Sequence, residues 1–368
     1  MKTRKLFNKK NYLRLGNKEI YNHEENSTDN YNINDINDIN IYYDYQKIIF
    51  ILILCICNFI IFNHNSLKKN PALIKLELLK ESEVSKTTEI SKEAEEEIYF
   101  DQYDVNKYNE IKNKLLEIKC CDMWDNQKEF LNGIVRKLKP KKILEVGVDR
   151  GGSSIIILNA INDFEDAHLY SIDLNSEDKV GECVNKYFPE FLKKWSLFKG
   201  DIATEFLEQI GNNIDMAFID TAHFEPGEIL DFLIVLPFLK ENAVVIFHDI
   251  ANQITKAQYF KRSEYAPYVI FNAIRGKKYL PFGRNVLTHD IGAVKLDKNQ
   301  SLYYRDYFRL LGGQWQYYPK EIHMKKIKNY FQKYYDEQCL IMFDQTSSFN
   351  KDFVKKYPMN LIYKFTSD

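Results

Sequence analysis

The stretch KKILEVGVDRGGSSIIILNAI, running from Lys141 to Ile161, constrains this chain more than any other. The apolar run from Ile143 to Val146 reads as a short buried strand, glycines follow at 147, 151 and 152, and a second apolar run is long enough for a helix. A strand, a glycine-rich turn and a helix in that order make the first unit of a doubly wound α/β sheet. In such sheets a ligand approaches the backbone at the carboxyl end of the first strand. The spacing Glu145-x-Gly147-x-x-x-Gly151 puts Asp149 where the dinucleotide fingerprint needs glycine, which counts against NAD.

Four further units follow. HLYSIDLN ends in Asp173, one βαβ unit downstream, where an acid can accept hydrogen bonds from both ribose hydroxyls; a strand-end turn residue is the plainer reading. WSLFKGD ends at Gly200-Asp201 and places Asp201 and Ile202 near a purine ring. IDMAFID ends at Asp220, with Thr221, Ala222 and His223 next, and AVVIFHDI delivers His248 and Asp249. Polar residues at five strand exits predict an α/β, doubly wound, mostly parallel Rossmann-like sheet with one functional edge. Ile111, Leu115 and Ile118, then Phe130, Ile134 and Leu138, recur at helical spacing and predict two helices ahead of the first strand. The long segment from Ile250 to Asp290 is expected as a helix and lid, and IGAVKL as the edge strand.

The flanks read differently. Residues 1–46 are polar and include the low-complexity run NINDINDINI, so a disordered tail is expected. Residues 47–63 hold IIFILILCICNFIIF, which is short of the roughly 20 apolar residues of a spanning helix but is read as an uncleaved transmembrane anchor. A charged linker, 64–98, leads to a catalytic domain over 99–300. An aromatic-rich extension, 301–368, is expected to pack on that domain; stacking on sugar rings is the alternative use of its aromatics. Lysines flank both ends of the apolar run, so the positive-inside rule does not fix its orientation. Lys plus Arg (51) balance Asp plus Glu (52), leaving no excess charge to hold phosphates, and nucleic acid is not expected as a partner. The six cysteines show neither a disulfide-scaffold density nor a CxxC pair, so a reducing compartment without zinc is expected. No P-loop and no GxSxG elbow is present.

Taken in order, ILEVGVDRGGSS, YSIDLN, FIDTAH and VVIFHDI resemble the class I S-adenosylmethionine (SAM)-dependent methyltransferases. The likeness is greatest to the branch of catechol-type and bacterial sugar and antibiotic O-methyltransferases, over roughly residues 124–296. The resemblance implies that Glu145, Gly147, Gly151 and Ser153 line the methionine half of SAM, that Asp173 holds the ribose, and that Asp201 and Ile202 neighbour the adenine. In metal-dependent members, residues at the ends of strands four and five hold Mg²⁺; here these are Asp220, His248 and Asp249. His248 departs from that pattern, because imidazole is a poor ligand for magnesium. His223 stands where catechol-type enzymes keep a lysine base, and a neutral imidazole there can accept a hydroxyl proton. Glu228 and Asp231 are read as solvated or as helix-dipole partners. The turn Glu241–Ala243 replaces the family's usual glycine-rich turn.

The function expected is SAM-dependent O-methylation of a small hydroxylated acceptor, sugar or glycan. The domain is expected on the cytoplasmic side of a single-pass membrane protein, since SAM is made in the cytosol. The second reading is a non-catalytic Rossmann-like SAM-binding or scaffold domain in a membrane-associated glycan assembly system.

Overall fold

In the computed structural model, which describes residues 99–252, 264–282 and 290–357, helices α1 (Val105–Ile118) and α2 (Asp125–Leu138) lead into strand β1 (Lys142–Val146). Tyr108, Ile111 and Leu115 form the buried stripe of α1, and Phe130, Leu131, Ile134 and Val135 that of α2. The chain continues through α3 (Gly152–Ile161), β2 (His168–Asp173), α4 (Glu182–Tyr187), β3 (Trp195–Lys199), α5 (Leu207–Ile210) and β4 (Ile214–Ile219). Then come α6 (Gly227–Val235), β5 (Leu239–His248), α7 (Ala266–Ala273), β6 (Gly276–Tyr279), β7 (Ile291–Leu296), α8 (Tyr304–Leu310), α9 (Glu321–Tyr334) and α10 (Glu337–Lys356).

The strands form one sheet in the order β3-β2-β1-β4-β5-β7-β6. β1 to β5 pair in parallel, and β7 runs antiparallel to both its neighbours. Because successive side chains on a strand point to opposite faces, the apolar strands feed two cores. Ile143, Met216, Phe218, Val244 and Ile246 pack with α1, α2 and α3 on one face. Leu144, Val146, Ala217, Ile219, Val245 and Phe247 pack with α6, α7 and the C-terminal helices on the other. The chain leaves β1 toward β2 and β3, then returns to β4 on the opposite side of β1. That reversal opens a crevice at the carboxyl ends of the strands.

Several expectations are corrected. Among the described residues no helix is long and apolar enough to cross a membrane. The apolar run 47–63, like the tail 1–46 and the linker 64–98, lies outside the described residues. The anchor helix, the membrane partner and the single-pass localisation are therefore not supported by the structure. IGAVKL forms β7 but is not the edge; the edge is β6, whose GKKY is too short and too charged to read as a strand. Edge strands of this kind commonly carry lysines, which discourage further pairing. Cys120 and Cys183, 63 residues apart, form a disulfide between the segment before α2 and the start of α4, against the expectation of unpaired thiols. In the turn Glu241–Ala243, Asn242 supplies the left-handed conformation (φ +60°) that a glycine would otherwise take.

The aromatic extension packs as core. Phe331 is fully buried and makes edge contacts with Phe308, Tyr335 and Phe343. The Tyr330 hydroxyl donates to the Ile234 carbonyl at 2.6 Å, and that of Tyr335 to the Leu233 carbonyl, so the extension is bonded to the end of α6.

Candidate functional site

A cavity of about 770 Å³ opens at the crevice, within the size range of cofactor and small-ligand sites. A shallower hollow of about 520 Å³ lies at the other end of the strands, lined by residues around Asn162–His168 and by Lys193 and Lys194.

On one side of the cavity the turn after β1 is held by its neighbours. The Gly147 N–H donates to the Ile172 carbonyl at 2.9 Å, and the Asp220 N–H to the Val146 carbonyl at 3.0 Å. Gly147 has φ +91°, and a Cβ there would lie 1.8 Å from the Asp220 carbonyl oxygen, so the close approach of β1 and β4 requires glycine. Asp173 Oδ2 accepts the N–H groups of Val148 (2.9 Å) and Asp149 (3.1 Å), and its Oδ1 that of Asn175 (2.8 Å). The acid expected at the ribose thus also shapes the turn.

Gly147, Ser153, Asp173, Asp201 and Ile202 are in the cavity wall. Gly151 is not: it begins α3 with φ +92°, and a Cβ there would meet Val184 and Gly181. Glu145, expected against the methionine half, lies beneath the wall, fully buried, and accepts hydroxyl hydrogen bonds from Ser153 (2.6 Å), Ser154 (2.7 Å) and Ser171 (2.6 Å). Burial pushes its carboxyl up to about 7 in spite of those three donors. A carboxyl whose folded pKa lies above its ordinary 4.5 binds its proton more tightly in the native state. It therefore favours folding most below pH 4.5 and loses that contribution as pH rises to about 7. Glu145→Gln is expected to flatten the stability curve between those limits, by up to about 3 kcal/mol in denaturant titrations. An unchanged slope would refute the attribution.

At the far side, β4 and β5 lie in register with Ile219 beside Phe247, so their exits bring Asp220 next to His248 and Asp249. Asp249 takes a left-handed backbone conformation (φ +57°), which is uncommon outside glycine and recurs at functional sites. His223 Nε2 lies 2.9 Å from Asp249 Oδ2 and 3.9 Å from Asp220 Oδ1, and its Nδ1 is 3.0 Å from Glu228 Oε1. Burial alone would lower the His223 pKa, but Asp249 and Glu228 outweigh it and hold the ring well above its usual value. His248 Nδ1 lies 3.2 Å from Asp220 Oδ2 and 3.7 Å from Asp249 Oδ1. Here too burial is overcome by the two carboxylates, and the pKa rises to about 9.

Glu228 and Asp231, read from the sequence as solvated, are site residues. Glu228 is fully buried, accepts the Thr221 N–H at 3.2 Å and anchors His223; burial raises its carboxyl to about 7. Asp231 lines the cavity and accepts the Thr221 hydroxyl at 2.6 Å. The C-terminal extension, expected only to pack, also contributes Tyr317, Tyr318, Lys320 and His323 to the wall. From α9, Lys326 pairs with Asp201, and with Glu205 at 3.3 Å, so the acid expected at the adenine is engaged by a cation 125 residues away. None of these long-range partners has a local sequence signal; only the i, i+5 spacing of His223 and Glu228 hints at one.

Solved structures with related architecture include the O-methyltransferase TomG of Streptomyces achromogenes, in complex with SAM (17% identity, 52% of this chain and 89% of that one, TM-score 0.38). An O-methyltransferase of Bacillus cereus in complex with SAH is similar (17%, 52% and 90%, TM-score 0.39), as is an SAH-bound methyltransferase of Podospora anserina (14%, 53% and 87%, TM-score 0.39). No curated protein matches the chain. At identities and scores this low the likeness assigns no function to this chain. A family model described as a methyltransferase domain matches residues 144–250, a stretch that holds the glycine turn, Asp173, Asp220, His223, His248 and Asp249, so this part of the chain, built on a Rossmann-like sheet, is similar to methyltransferase domains.

Proposed function

We propose that the chain transfers a methyl group from SAM to an oxygen of a small hydroxylated acceptor. The observation that carries this reading is one cavity with a ribose-competent acid and glycine turn at one side, and a cluster of two carboxylates and two imidazoles at the other. When bound, SAM supplies a methyl group on a sulfonium, which needs only an aligned nucleophile. Asp173 is assigned to the ribose hydroxyls, the turn from Gly147 to Ser153 to the methionine end, and Ile202 to the adenine. His223 lines the cavity, held by Glu228 at Nδ1 and by Asp249 at Nε2, and is assigned to take the acceptor's proton through Nε2 when the acceptor displaces Asp249 from it. That role requires the ring to be neutral, so transfer is expected to rise with pH above neutrality.

The resemblance implies a divalent cation at Asp220, His248 and Asp249. The two carboxylates suit a hard ion and the imidazole does not. A cation there would lower the pKa of an acceptor hydroxyl. No wall residue selects a sugar or glycan over another hydroxylated acceptor.

The test is incubation of the full chain with methyl-labelled SAM and a panel of phenols, catechols and sugars, at roughly pH 7 and pH 9. The expected result is labelled product with S-adenosylhomocysteine, faster at the higher pH, and reduced on the order of 10²-fold or more in His223→Ala. SAM bound but transferred to no acceptor would favour a non-catalytic SAM-binding domain.

A further inference from the structure

We propose that Lys326, from the C-terminal extension, is a positioning residue for the cofactor: through its ion pair with Asp201 it sets that carboxylate to receive the 6-amino group of the adenine. The inference rests on the methyl-transfer reading for the identity of the ligand, and on the geometry of the cavity for the part that Lys326 plays.

Helix α9 carries His323, Lys326 and Ile327 at spacings of three and four residues, so the three share one face near its start. His323 and Ile327 line the cavity. Lys326 between them pairs with Asp201, also in the wall, and with Glu205 at 3.3 Å. The extension is fixed on both sides of this face. Ahead of it, the Gln316 N–H donates to the Glu225 carbonyl at 2.8 Å and the Gln316 side-chain oxygen accepts the Glu225 N–H at 3.0 Å, which pins the segment to the loop after β4. Behind it, the Tyr330 hydroxyl bonds the end of α6 and Phe331 is fully buried. The Lys326 ammonium is thus brought to the β3 exit by a segment anchored at two points.

Beside Asp201 the cavity wall is apolar. Ile202 and Ala203 come from the β3 exit, Leu230 and Ile234 from α6 and Ile327 from α9, and all five belong to one packed cluster. A slot of that composition takes the face of a planar base, and Asp201 stands next to it as a hydrogen-bond acceptor.

Both oxygens of that acceptor are engaged. Oδ1 accepts the Ile202 N–H at 2.8 Å and Oδ2 the Lys326 ammonium, so the plane of the carboxylate is set from two directions. A carboxylate oxygen has two lone pairs, and each therefore keeps capacity for a further donor, such as the adenine amine. Burial alone would raise the Asp201 carboxyl, but Lys326 and the Ile202 N–H outweigh it and hold the group below its ordinary value. His323 does not share this task, because burial lowers its pKa in spite of Asp201, and a neutral imidazole brings no charge to the carboxylate.

The experiment titrates the full chain calorimetrically with SAM, adenosine and inosine in turn; inosine carries a carbonyl in place of the 6-amino group. Wild type is expected to bind adenosine about tenfold or more tightly than inosine. Lys326→Ala is expected to lose roughly tenfold for SAM and adenosine and little for inosine, so that the discrimination collapses, while Lys326→Arg keeps it. The pair is partly solvated, with side-chain exposures of 26% and 30%, so the melting temperature is expected to hold. Lys326→Met, which keeps the apolar stem, carries the test if the alanine variant does not fold. Lys333→Ala removes another ion pair of α9, with Glu208, away from the cavity wall, and is expected to leave all three affinities unchanged. Binding of SAM and adenosine that is equal in wild type and in the uncharged variants overturns the inference while leaving the SAM site intact. So does a wild type that does not discriminate, an equal loss for adenosine and inosine, or a loss as large in Lys333→Ala. A folded wild-type chain that binds neither SAM nor adenosine removes the methyl-transfer reading and this inference with it.

Discussion

Asp173→Ala should weaken SAM binding by a factor of roughly 10²–10⁴, because the two hydrogen bonds assigned from the ribose to a charged acceptor are lost, each contributing about 1.5–3 kcal/mol. The same carboxylate accepts the N–H groups of Val148, Asp149 and Asn175, so its removal also frees the turn on which the methionine end would rest. Asp173→Asn retains the shape and one acceptor oxygen, and is expected to lose less of both. Calorimetric titration with SAM, paired with a melting curve for each variant, separates the two contributions. An alanine variant that is folded and binds within about threefold of wild type would remove Asp173 from the cofactor site.

Gly147→Ala is expected to act on the fold itself. The added Cβ would stand 1.8 Å from the Asp220 carbonyl oxygen, in a backbone conformation (φ +91°) that side chains disfavour. Relief requires the exits of β1 and β4 to part, and β4 carries the Asp220 end of the site. Strain and repacking together are expected to cost about 3–5 kcal/mol, lowering the melting temperature by roughly 10 °C. A variant that melts with wild type and still binds SAM would show that the approach of these strands is not needed.

The strand exits are legible in the sequence because each parallel strand is buried on both faces and reads as an apolar run, with its first polar residue marking the end of the sheet. Asp173, Asp220, His248 and Asp249 are found by that rule alone. What the rule cannot supply is which distant residue meets an exit. Gln127 reaches His248 from a helix that precedes the sheet, and Lys326 meets Asp201 from one that follows it. The Cys120–Cys183 pairing likewise joins segments that only the completed fold brings together. Glu228 escapes a sequence reading because an acid near a helix start is ordinarily solvated; here the helix begins close beneath the loop, where a Cβ on Gly227 would stand 2.2 Å from the Ala222 carbonyl oxygen, and the Glu228 carboxylate meets His223. Glu145 lies one layer deeper than its motif suggests. Its neighbours on the turn form the wall, and the carboxylate instead braces Ser153, Ser154 and Ser171 from beneath.

The central claim, that the crevice at the strand exits is a SAM site, is tested most directly by calorimetric titration of SAM into the full chain. Saturable one-site binding, accompanied by a rise in melting temperature and lost in Asp173→Ala, is the predicted result. A folded wild-type chain that shows neither heat of binding nor thermal stabilisation at millimolar SAM would contradict it.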